Sequence, residues 1–402
     1  MVPSARPSQL RARLFYFLFF AAVASLLPFL VVYYERLGLD GRQIGVLSAL
    51  LPIATLTVGP LWGALADGLG RHRVVAMVTL IGTTVSGVLV ATGSDFVTLL
   101  PLVAALAVFA APVVPLTDTA VLAGLRAERE RYGRLRLWGA IGFGIASLIA
   151  GVAVDRLGLG WSFGAFGVLL AATVVVAFGL AWRDVADDRD AERLAVAPRA
   201  ARGSGLFRDF ANVRWFALLA AGFLGGAALP TATTFFFLYL TERGAATGLI
   251  GVALAVATVS EIPVMFLASR WLRRVRPRTL LLGALGMFAL RALLYAVIDS
   301  TAGLVAVQLL HGPSFGLLLV AGVGRADRLA IPGRRATGQA LFAASVTGLG
   351  ATIGSLVGVP PLTALPPTVY LGGLAFVLSV SAAINVATQR SLRVDLTDDT
   401  PS

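Results

Sequence analysis

The sequence predicts an all-α membrane protein in which twelve transmembrane helices form two pseudo-symmetric six-helix bundles. Hydrophobic residues make up 57% of the 402 residues and charged residues only 13%, against roughly 25% charge in a soluble domain. Apolar segments of about 20 residues, enough for a helix to cross the hydrocarbon core, recur along the chain. One long polar segment divides them into two sets of six.

The twelve predicted spans follow from hydropathy along the chain. The first set comprises residues 14–34, 44–66, 74–92, 97–124, 137–154 and 163–182. The second set comprises residues 215–240, 249–269, 279–298, 304–324, 338–358 and 368–387. We interpret the first span as a retained helix, because it is too long for a secretory leader and similar spans follow it.

The predicted domains are an N-terminal bundle over residues 1–182, a cytoplasmic linker over 183–214, and a C-terminal bundle with a short cytoplasmic tail over 215–402. The linker is charged, with Pro, Gly and Ser near its end, as is typical of connecting segments. The two halves are also weakly similar: YYERLGLDGRQIGV ends at Val46, and YLTERGAATGLIGV ends at Val252. Such a repeat is typical of one large transporter class, and chance similarity of two short loops is the alternative.

The basic residues predict the orientation of the helices. All 33 are arginine, and 28 of them fall in the termini and loops on one side of the predicted spans. By the positive-inside rule this side is cytoplasmic. We therefore expect a multi-pass protein of the cell (inner) membrane with both termini inside, and the net charge of +12 indicates topology instead of nucleic-acid binding.

Composition also limits the chemistry. The chain has no cysteine and two histidines, which excludes disulfides and thiolate sites and argues against a multi-histidine metal centre. No Ser/His/Asp order and no phosphate-binding loop is found. We expect no metal and no enzymatic activity.

Apart from residues at the ends of the spans, two acids lie within them, Asp118 and Glu261. An ionised side chain at mid-bilayer costs roughly 3 kcal/mol on insertion scales, so such residues normally face a partner or a watery cavity. Asp118 and Arg136 flank the same predicted turn at equal separation and reach the same depth on antiparallel helices, which predicts a salt bridge. The alternatives are a pair that only locks two helices together, and an Arg136 that stays in the loop.

The loop after the second span reads GALADGLGRHR, from Gly63 to Arg73. Glycines permit a tight turn, Asp67 can stabilise a helix N-terminus, and the arginines hold the loop to the inner face. This loop resembles the signature of the major facilitator superfamily, in which Gly63, Asp67, Gly70, Arg71 and Arg73 occupy the expected places. The resemblance implies the major facilitator fold and a loop that acts in conformational switching.

Three stretches resemble one branch of that superfamily, which includes phenylpropionate permeases, nucleoside/proton symporters and lactose permease. They are PLTDTAVLAG, YGRLRLWGAIGFG, and SEIPVMFLASR followed by RALLYA and QLLHGPSFG. The resemblance implies that Asp118 and Arg136 contact the solute. Trp138 is a further candidate that could stack on a ring-bearing solute, and a lipid-facing or core position is its alternative.

The same resemblance implies that Glu261, Arg291 and His311 form a proton-coupling set. A carboxylate in a half-dry cavity favours its neutral form, while a nearby arginine favours the charged form, so moving the arginine loads or releases a proton. Histidine adds a group that titrates near neutral pH. Lactose permease has a second acid one turn after its histidine, and here that place is Ser314. For His311 a packing role is the alternative, and for Glu261 a static pair.

We therefore expect a secondary active transporter that moves a small organic solute by alternating access, coupled to a proton. An aromatic acid, a nucleoside or a sugar would fit. The expected partners are this solute, the proton as coupling ion and the lipid bilayer, with no cofactor, no nucleic acid and a monomeric chain. The alternatives are proton-coupled efflux of drugs or metabolites and, less favoured, a non-transporting membrane sensor or enzyme.

Overall fold

A computed structural model describes residues 6–125, 132–180, 182, 212–230, 232–233, 236–330 and 335–364. The chain forms two compact units, one of residues 1–188 with 240–255 and one of residues 189–239 with 256–402. Nearly all of the predicted linker lies outside the described residues. The predicted domain boundaries therefore stay predictions.

In the described part of residues 1–188, the first unit has seven α-helices, which account for six spans. They are α1 (Arg6–Arg36), α2 (Gly41–Leu69), α3 (His72–Leu89), α4 (Phe96–Ala110), α5 (Val113–Leu125), α6 (Tyr132–Leu157) and α7 (Gly160–Phe178). Helix α1 packs against α6 and α7, and α3 packs against α4 and α7. Helix α1, with Phe15, Tyr16 and Phe29 almost fully buried, lies in the interior of this unit.

The second unit contains the remaining described helices, although the last three residues of α9 and the first eight of α10 group with the first unit. They are α8 (Val213–Pro230), α9 (Phe236–Glu242), α10 (Gly248–Arg274), α11 (Pro277–Val297), α12 (Thr301–Val307), α13 (Leu317–Leu329), α14 (Arg335–Ala343) and α15 (Ala351–Ala364). Its core joins buried side chains of α8, α11, α13 and α14, among them Trp215, Phe288, Leu318 and Phe342.

Eleven segments of the described chain are long and apolar enough to cross a membrane. Each overlaps one of the first eleven predicted spans, because hydrocarbon thickness sets the length of both. The twelfth predicted span, residues 368–387, lies outside the described residues. The helices also extend past several predicted ends, most clearly at Arg6, where α1 begins eight residues before the predicted span.

Two long helices of the first unit begin with an acidic cap. The carboxylate of Asp40 accepts the Gln43 backbone N–H at 2.8 Å, and that of Asp95 accepts the Thr98 backbone N–H at 2.9 Å. In each pair the second side chain bonds back to the backbone N–H of the capping residue, which makes a capping box. The Thr98 backbone N–H lowers the pKa of Asp95, so this cap stays ionised to more acidic pH than a free aspartate.

The tenth span is not one continuous α-helix. Helix α12 ends in a 3₁₀ turn at Gln308–Leu310, and a π-type turn at Gly312–Gly316 follows before α13 begins. Pro313 lies in this π-type turn and has no N–H to donate. Irregular turns of this kind often occur at functional sites, and the break places His311 between the two turns.

A matched pair of glycines in the first unit tests the helix packing. A Cβ on Gly142 would overlap the backbone carbonyl oxygen of Phe17, whereas a Cβ on Gly164 would meet nothing within 4 Å. We expect Gly142→Ala to destabilise the protein by about 1–3 kcal/mol. Gly164→Ala should stabilise it by roughly 0.5–1 kcal/mol through better helix propensity. Unfolding of the purified variants measures both, and equal effects of the two substitutions would contradict the close packing of α1 against α6.

Candidate functional site

The second unit contains a buried polar network, called here the Arg291 cluster, which comprises Glu261, Arg291, Tyr295, Gln308, His311 and Ser314. Tyr295 lies four residues after Arg291 on α11, so both side chains project from one face of that helix. Gln308, His311 and Ser314 succeed one another at steps of three residues along the interrupted tenth span. This spacing aligns them on one side of the span, towards the guanidinium.

Arg291 is fully buried and is the centre of this cluster. One terminal nitrogen, Nη1, lies 3.2 Å from both His311 Nδ1 and Ser314 Oγ. The other, Nη2, donates to the Ala232 carbonyl oxygen at 3.1 Å, the Tyr295 hydroxyl at 2.9 Å and Gln308 Oε1 at 2.8 Å. All of these described partners are uncharged. No described carboxylate therefore contacts the guanidinium directly.

His311 links this guanidinium to Glu261. Its Nε2 lies 2.9 Å from Glu261 Oε1, and its Nδ1 faces the Arg291 Nη1. A guanidinium is only a donor, so Nδ1 must accept and carries no proton. The proton of the neutral imidazole is then on Nε2, which donates to the Glu261 carboxylate. The tautomer of His311 thus follows from its two neighbours, because Arg291 can only donate and the Glu261 carboxylate accepts.

This arrangement limits where a proton can be added. An imidazolium is a donor at both nitrogens, and its Nδ1–H would point at an Arg291 N–H. While Arg291 keeps its position, His311 therefore remains neutral. The side chain of His311 is 10% exposed and that of Glu261 is 26% exposed, so accessibility rises from the guanidinium to the carboxylate. Of the three side chains in this series of contacts, that of Glu261 is the most exposed.

The first unit contains a second cluster, called here the Asp118 cluster, which comprises Tyr16, Phe20, Asp118, Tyr132 and Arg136. The Tyr16 hydroxyl donates to Asp118 Oδ1 at 2.6 Å, and Tyr132 interacts electrostatically with the same carboxylate. The Arg136 guanidinium carbon lies 4.2 Å from the Phe20 ring centroid and 5.4 Å from that of Tyr16. Cation–π contacts of this kind hold the guanidinium against the two rings.

The predicted direct salt bridge between Asp118 and Arg136 is not among the contacts of the described residues. Tyr16 instead contacts both groups, the carboxylate with its hydroxyl and the guanidinium with its ring. The alternative with Arg136 in a loop is wrong, since Arg136 lies within α6. Trp138 follows two residues later on that helix, where side chains do not share a face with Arg136. Trp138 is 38% exposed, and its role as a solute contact stays a prediction.

The predicted switch loop joins α2 to α3. Gly70 ends α2 with a φ of 61°, and its N–H bonds the carbonyl of Asp67. Asp67 Oδ1 accepts from His72 Nε2 at 2.8 Å, so its carboxylate contacts the first residue of α3. Arg73 donates to the Phe178 carbonyl oxygen at 3.3 Å and lies over the Phe178 ring. Through Arg73 the loop is attached to the end of α7.

The other two residues of that loop have simpler positions. Gly63 lies within α2, where an added Cβ would meet nothing within 4 Å. Arg71 is exposed and immediately precedes α3. The roles of these loop residues in conformational switching stay predictions.

Sequence reasoning missed the tyrosines, Phe20 and Gln308 of the two clusters. Tyr16 and Phe20 lie in an apolar span where hydropathy does not distinguish them from core aromatics. Gln308 could have been found, because it is a polar side chain within a span and stands three residues before His311. Tyr295 could also have been found, since it follows Arg291 by one helical turn.

Comparison with known proteins agrees with this architecture. Residues 9–359 match the MFS_1 like family. The chain is 31% identical over 350 residues to a maltose permease of Geobacillus stearothermophilus, which covers 86% of this chain and 85% of that protein. It is 25% identical over 308 residues to a probable 3-phenylpropionic acid transporter of Escherichia coli (strain K12), covering 75% and 77% of the two chains.

A crystal structure of the nucleoside transporter NupG shares the fold, with a TM-score of 0.83 at 19% identity over 95% of this chain and 99% of that one. These proteins are membrane transporters, which confirms the expectation of a multi-pass transporter and not an enzyme. The inward placement of both termini stays a prediction. Because the family match covers most of the sequence, the chain belongs to the MFS_1 like family and is a major facilitator transporter of the permease type.

Proposed function

We propose that this chain is a proton-coupled symporter that imports a small organic solute by alternating access. The observation that carries the proposal is the sequence of contacts from Arg291 through His311 to Glu261. It joins a permanently charged, fully buried group to a carboxylate that is 26% exposed. A charge balance that depends on one accessible acid is the arrangement that a proton switch requires.

The proton would be taken up at Glu261. The ionised carboxylate accepts the Nε2–H of His311 at 2.9 Å, and the Arg291 charge behind that ring stabilises the negative form. A movement that separates the carboxylate from this donor removes the stabilisation, so that the neutral acid is favoured. The reverse movement releases the proton. Protonation of Glu261 thus responds to conformation, which is how a transporter couples two fluxes.

One proton per solute is the stoichiometry that this geometry supports. His311 is held neutral by Arg291, and Ser314 stands where lactose permease has its second acid. The Ser314 hydroxyl accepts from Arg291 and donates to the Leu310 carbonyl oxygen at 2.8 Å. It therefore completes the hydrogen bonding of the cluster without adding a titratable group.

A saccharide is the solute class that we favour. The Asp118 cluster combines a carboxylate, two phenolic hydroxyls, a guanidinium and apolar ring faces in the first unit. Carboxylate and guanidinium can bind sugar hydroxyls, and a ring face can cover the apolar side of a pyranose. Similarity to the maltose permease supports the same class. An aromatic carboxylate and a nucleoside are the other candidates. The sequence is similar to that of a probable 3-phenylpropionic acid transporter, and the fold is similar to that of a nucleoside transporter.

Substitution of Asp118 tests the proposed solute contact. Asp118→Asn keeps the size of the side chain and an acceptor for the Tyr16 hydroxyl, but it removes the charge. We expect the KM for the solute to rise about tenfold or more, since hydrogen bonds to charged groups contribute roughly 1.5–3 kcal/mol. Uptake kinetics at saturating pH gradient measure the effect.

The neighbouring Thr119 supplies the control. It is exposed, and its hydroxyl bonds the Pro115 carbonyl of its own helix. Thr119→Val should leave the KM close to that of the unmodified protein. An unchanged KM in Asp118→Asn, or equal changes of KM in both variants, would contradict the proposed contact between Asp118 and the solute.

A ligand panel tests the function as a whole. Maltose, 3-phenylpropionate and a nucleoside would be scored by thermal stabilisation of the purified protein, because binding to the native state raises the unfolding temperature. Ligands that stabilise would then be measured for uptake into oriented liposomes under an imposed pH gradient. Uptake with the proton gradient supports import. Movement of the solute against an inward proton flux would support the efflux alternative, and absence of any movement would contradict transport by this chain.

A further inference from the structure

The tenth span crosses α10 with backbone against backbone, at the break beside His311. A Cβ on Gly312 would overlap the carbonyl group of Ser260 and lie 2.8 Å from the amide nitrogen of Glu261. Only glycine fits at such a crossing. Because His311 precedes Gly312 and Glu261 follows Ser260, this contact brings the two side chains of the proton-binding pair within reach of each other.

Ser260 connects the two backbones at this point. Its hydroxyl accepts the N–H of Gly312 at 2.8 Å and donates to the Ala257 carbonyl oxygen of its own helix at 2.6 Å. The N–H of Gly312 is thus bound by a side chain of another helix, at the place where Pro313 interrupts the regular pattern. One hydroxyl uses both its acceptor and its donor to fix the register of the two helices.

The surroundings of the pair are consistent with a fixed register. The ring of Phe315 packs beside the His311 imidazole, with centroids 5.4 Å apart, and limits the rotation of that ring. One turn further, a Cβ on Gly316 would lie 3.4 Å from Val264 Cγ1, which is ordinary contact. The tight approach is therefore confined to Gly312, at the level of the pair.

We propose that Ser260 and Gly312 are positioning residues that hold the break in the tenth span where His311 can donate to Glu261. This proposal deepens the proposed proton coupling and rests on it for its functional consequence. Neither residue titrates or carries a proton. Ser260 acts through the Gly312 N–H, and Gly312 acts by allowing the two backbones to touch.

Ser260→Ala isolates the hydrogen bond from the packing. It removes one oxygen atom and leaves the backbone crossing sterically free, so the protein should still fold. The Gly312 N–H then loses its acceptor, and the break is free to shift along α10. Ser260→Thr returns a hydroxyl to the same Cβ. Ser345→Ala is the matched control, since its hydroxyl donates to the Phe342 carbonyl oxygen of its own segment at 2.7 Å.

Nitrogen NMR of protein with labelled histidine measures the protonation and hydrogen bonding of the His311 ring nitrogens. The chain has two histidines, and a His72→Gln variant assigns the remaining resonances to His311. We expect a neutral imidazole protonated at Nε2 in the unmodified protein. Ser260→Ala should move the Nε2 resonance in the direction produced by Glu261→Gln. Ser260→Thr should restore it, and Ser345→Ala should leave it unchanged.

Transport gives the second measurement. Ser260→Ala should lower accumulation driven by a pH gradient about threefold to fivefold and leave exchange of solute at equal pH nearly intact, with recovery in Ser260→Thr. An unchanged His311 spectrum in Ser260→Ala would overturn the proposal. So would equal losses of exchange and of thermal stability in Ser260→Ala and Ser345→Ala, because those would indicate packing alone.

The two measurements separate this proposal from the proton coupling on which it rests. If Glu261→Gln accumulates solute normally, the coupling mechanism fails, yet the His311 spectrum still decides whether Ser260 positions the pair. If Glu261→Gln loses accumulation while Ser260→Ala keeps both the spectrum and the accumulation of the unmodified protein, the coupling stands and the positioning role fails.

Discussion

Glu261→Gln should abolish accumulation of solute driven by a pH gradient and spare exchange of solute across the membrane. Glutamine keeps the shape and an acceptor for the His311 Nε2–H, which lies 2.9 Å from the carboxylate, but it cannot take up or release a proton. The helices should therefore still move with solute bound. Without a titrating group, that movement is no longer tied to proton entry.

The magnitude of this effect follows from the driving force. A pH gradient of one unit is worth about 1.4 kcal/mol per proton, or a tenfold concentration ratio for one proton per solute. Oriented liposomes containing the unmodified protein should approach that ratio, and those containing Glu261→Gln should stop near a ratio of about one. Asp95→Asn is the control, because this exposed acid caps α4 and asparagine caps equally well. Full accumulation in Glu261→Gln would refute the role of the carboxylate.

Arg291→Met should be the most destabilising of the substitutions considered. Arg291 is fully buried, and its terminal nitrogens bond Tyr295, Gln308, His311 and Ser314 side chains as well as the Ala232 carbonyl. Methionine leaves those groups without a donor and leaves Glu261 without its balancing charge. Removing one partner of a buried ionic network typically costs about 3–5 kcal/mol. Accumulation driven by the pH gradient should be lost as well.

A double-mutant cycle tests whether Arg291 and Glu261 act as a charge pair through His311. Combining Arg291→Met with Glu261→Gln removes both charges, so the double variant should be less destabilised than the sum of the single variants by about 0.5–3 kcal/mol. Arg156→Gln is the control, because Arg156 is exposed at the end of α6 and should change stability by less than about 0.5 kcal/mol. Additive free energies of unfolding in the cycle would contradict the pairing.

The sequence was sufficient for the architecture of the spans and for the acids within them. Span positions follow from a length that the bilayer imposes, so hydropathy finds them without tertiary information. Asp118 and Glu261 were identifiable because ionised residues inside spans are rare and expensive. Arg291 and His311 came from the resemblance to one permease branch, and the structure brings both into contact with each other and His311 into contact with Glu261.

The parts that sequence could not predict depend on side-chain direction and on local irregularity. Equal depth of Asp118 and Arg136 follows from the helical rise, but it does not fix the angle around each helix, and both side chains contact Tyr16. The break at Gln308–Gly316 is also invisible to hydropathy, because a 3₁₀ or π-type turn has the same apolar composition as an α-helix. The geometry that positions His311 therefore depends on the tertiary structure.

Coupled proton movement tests the central claim most directly. Liposomes with weak internal buffer, a trapped pH-sensitive dye and a clamped membrane potential would receive a solute gradient at equal internal and external pH. The unmodified protein should acidify the lumen as solute enters, with one proton per solute, whereas Glu261→Gln should equilibrate the solute without any change in pH. Solute entry without acidification in the unmodified protein, or persistent acidification in Glu261→Gln, would contradict the account.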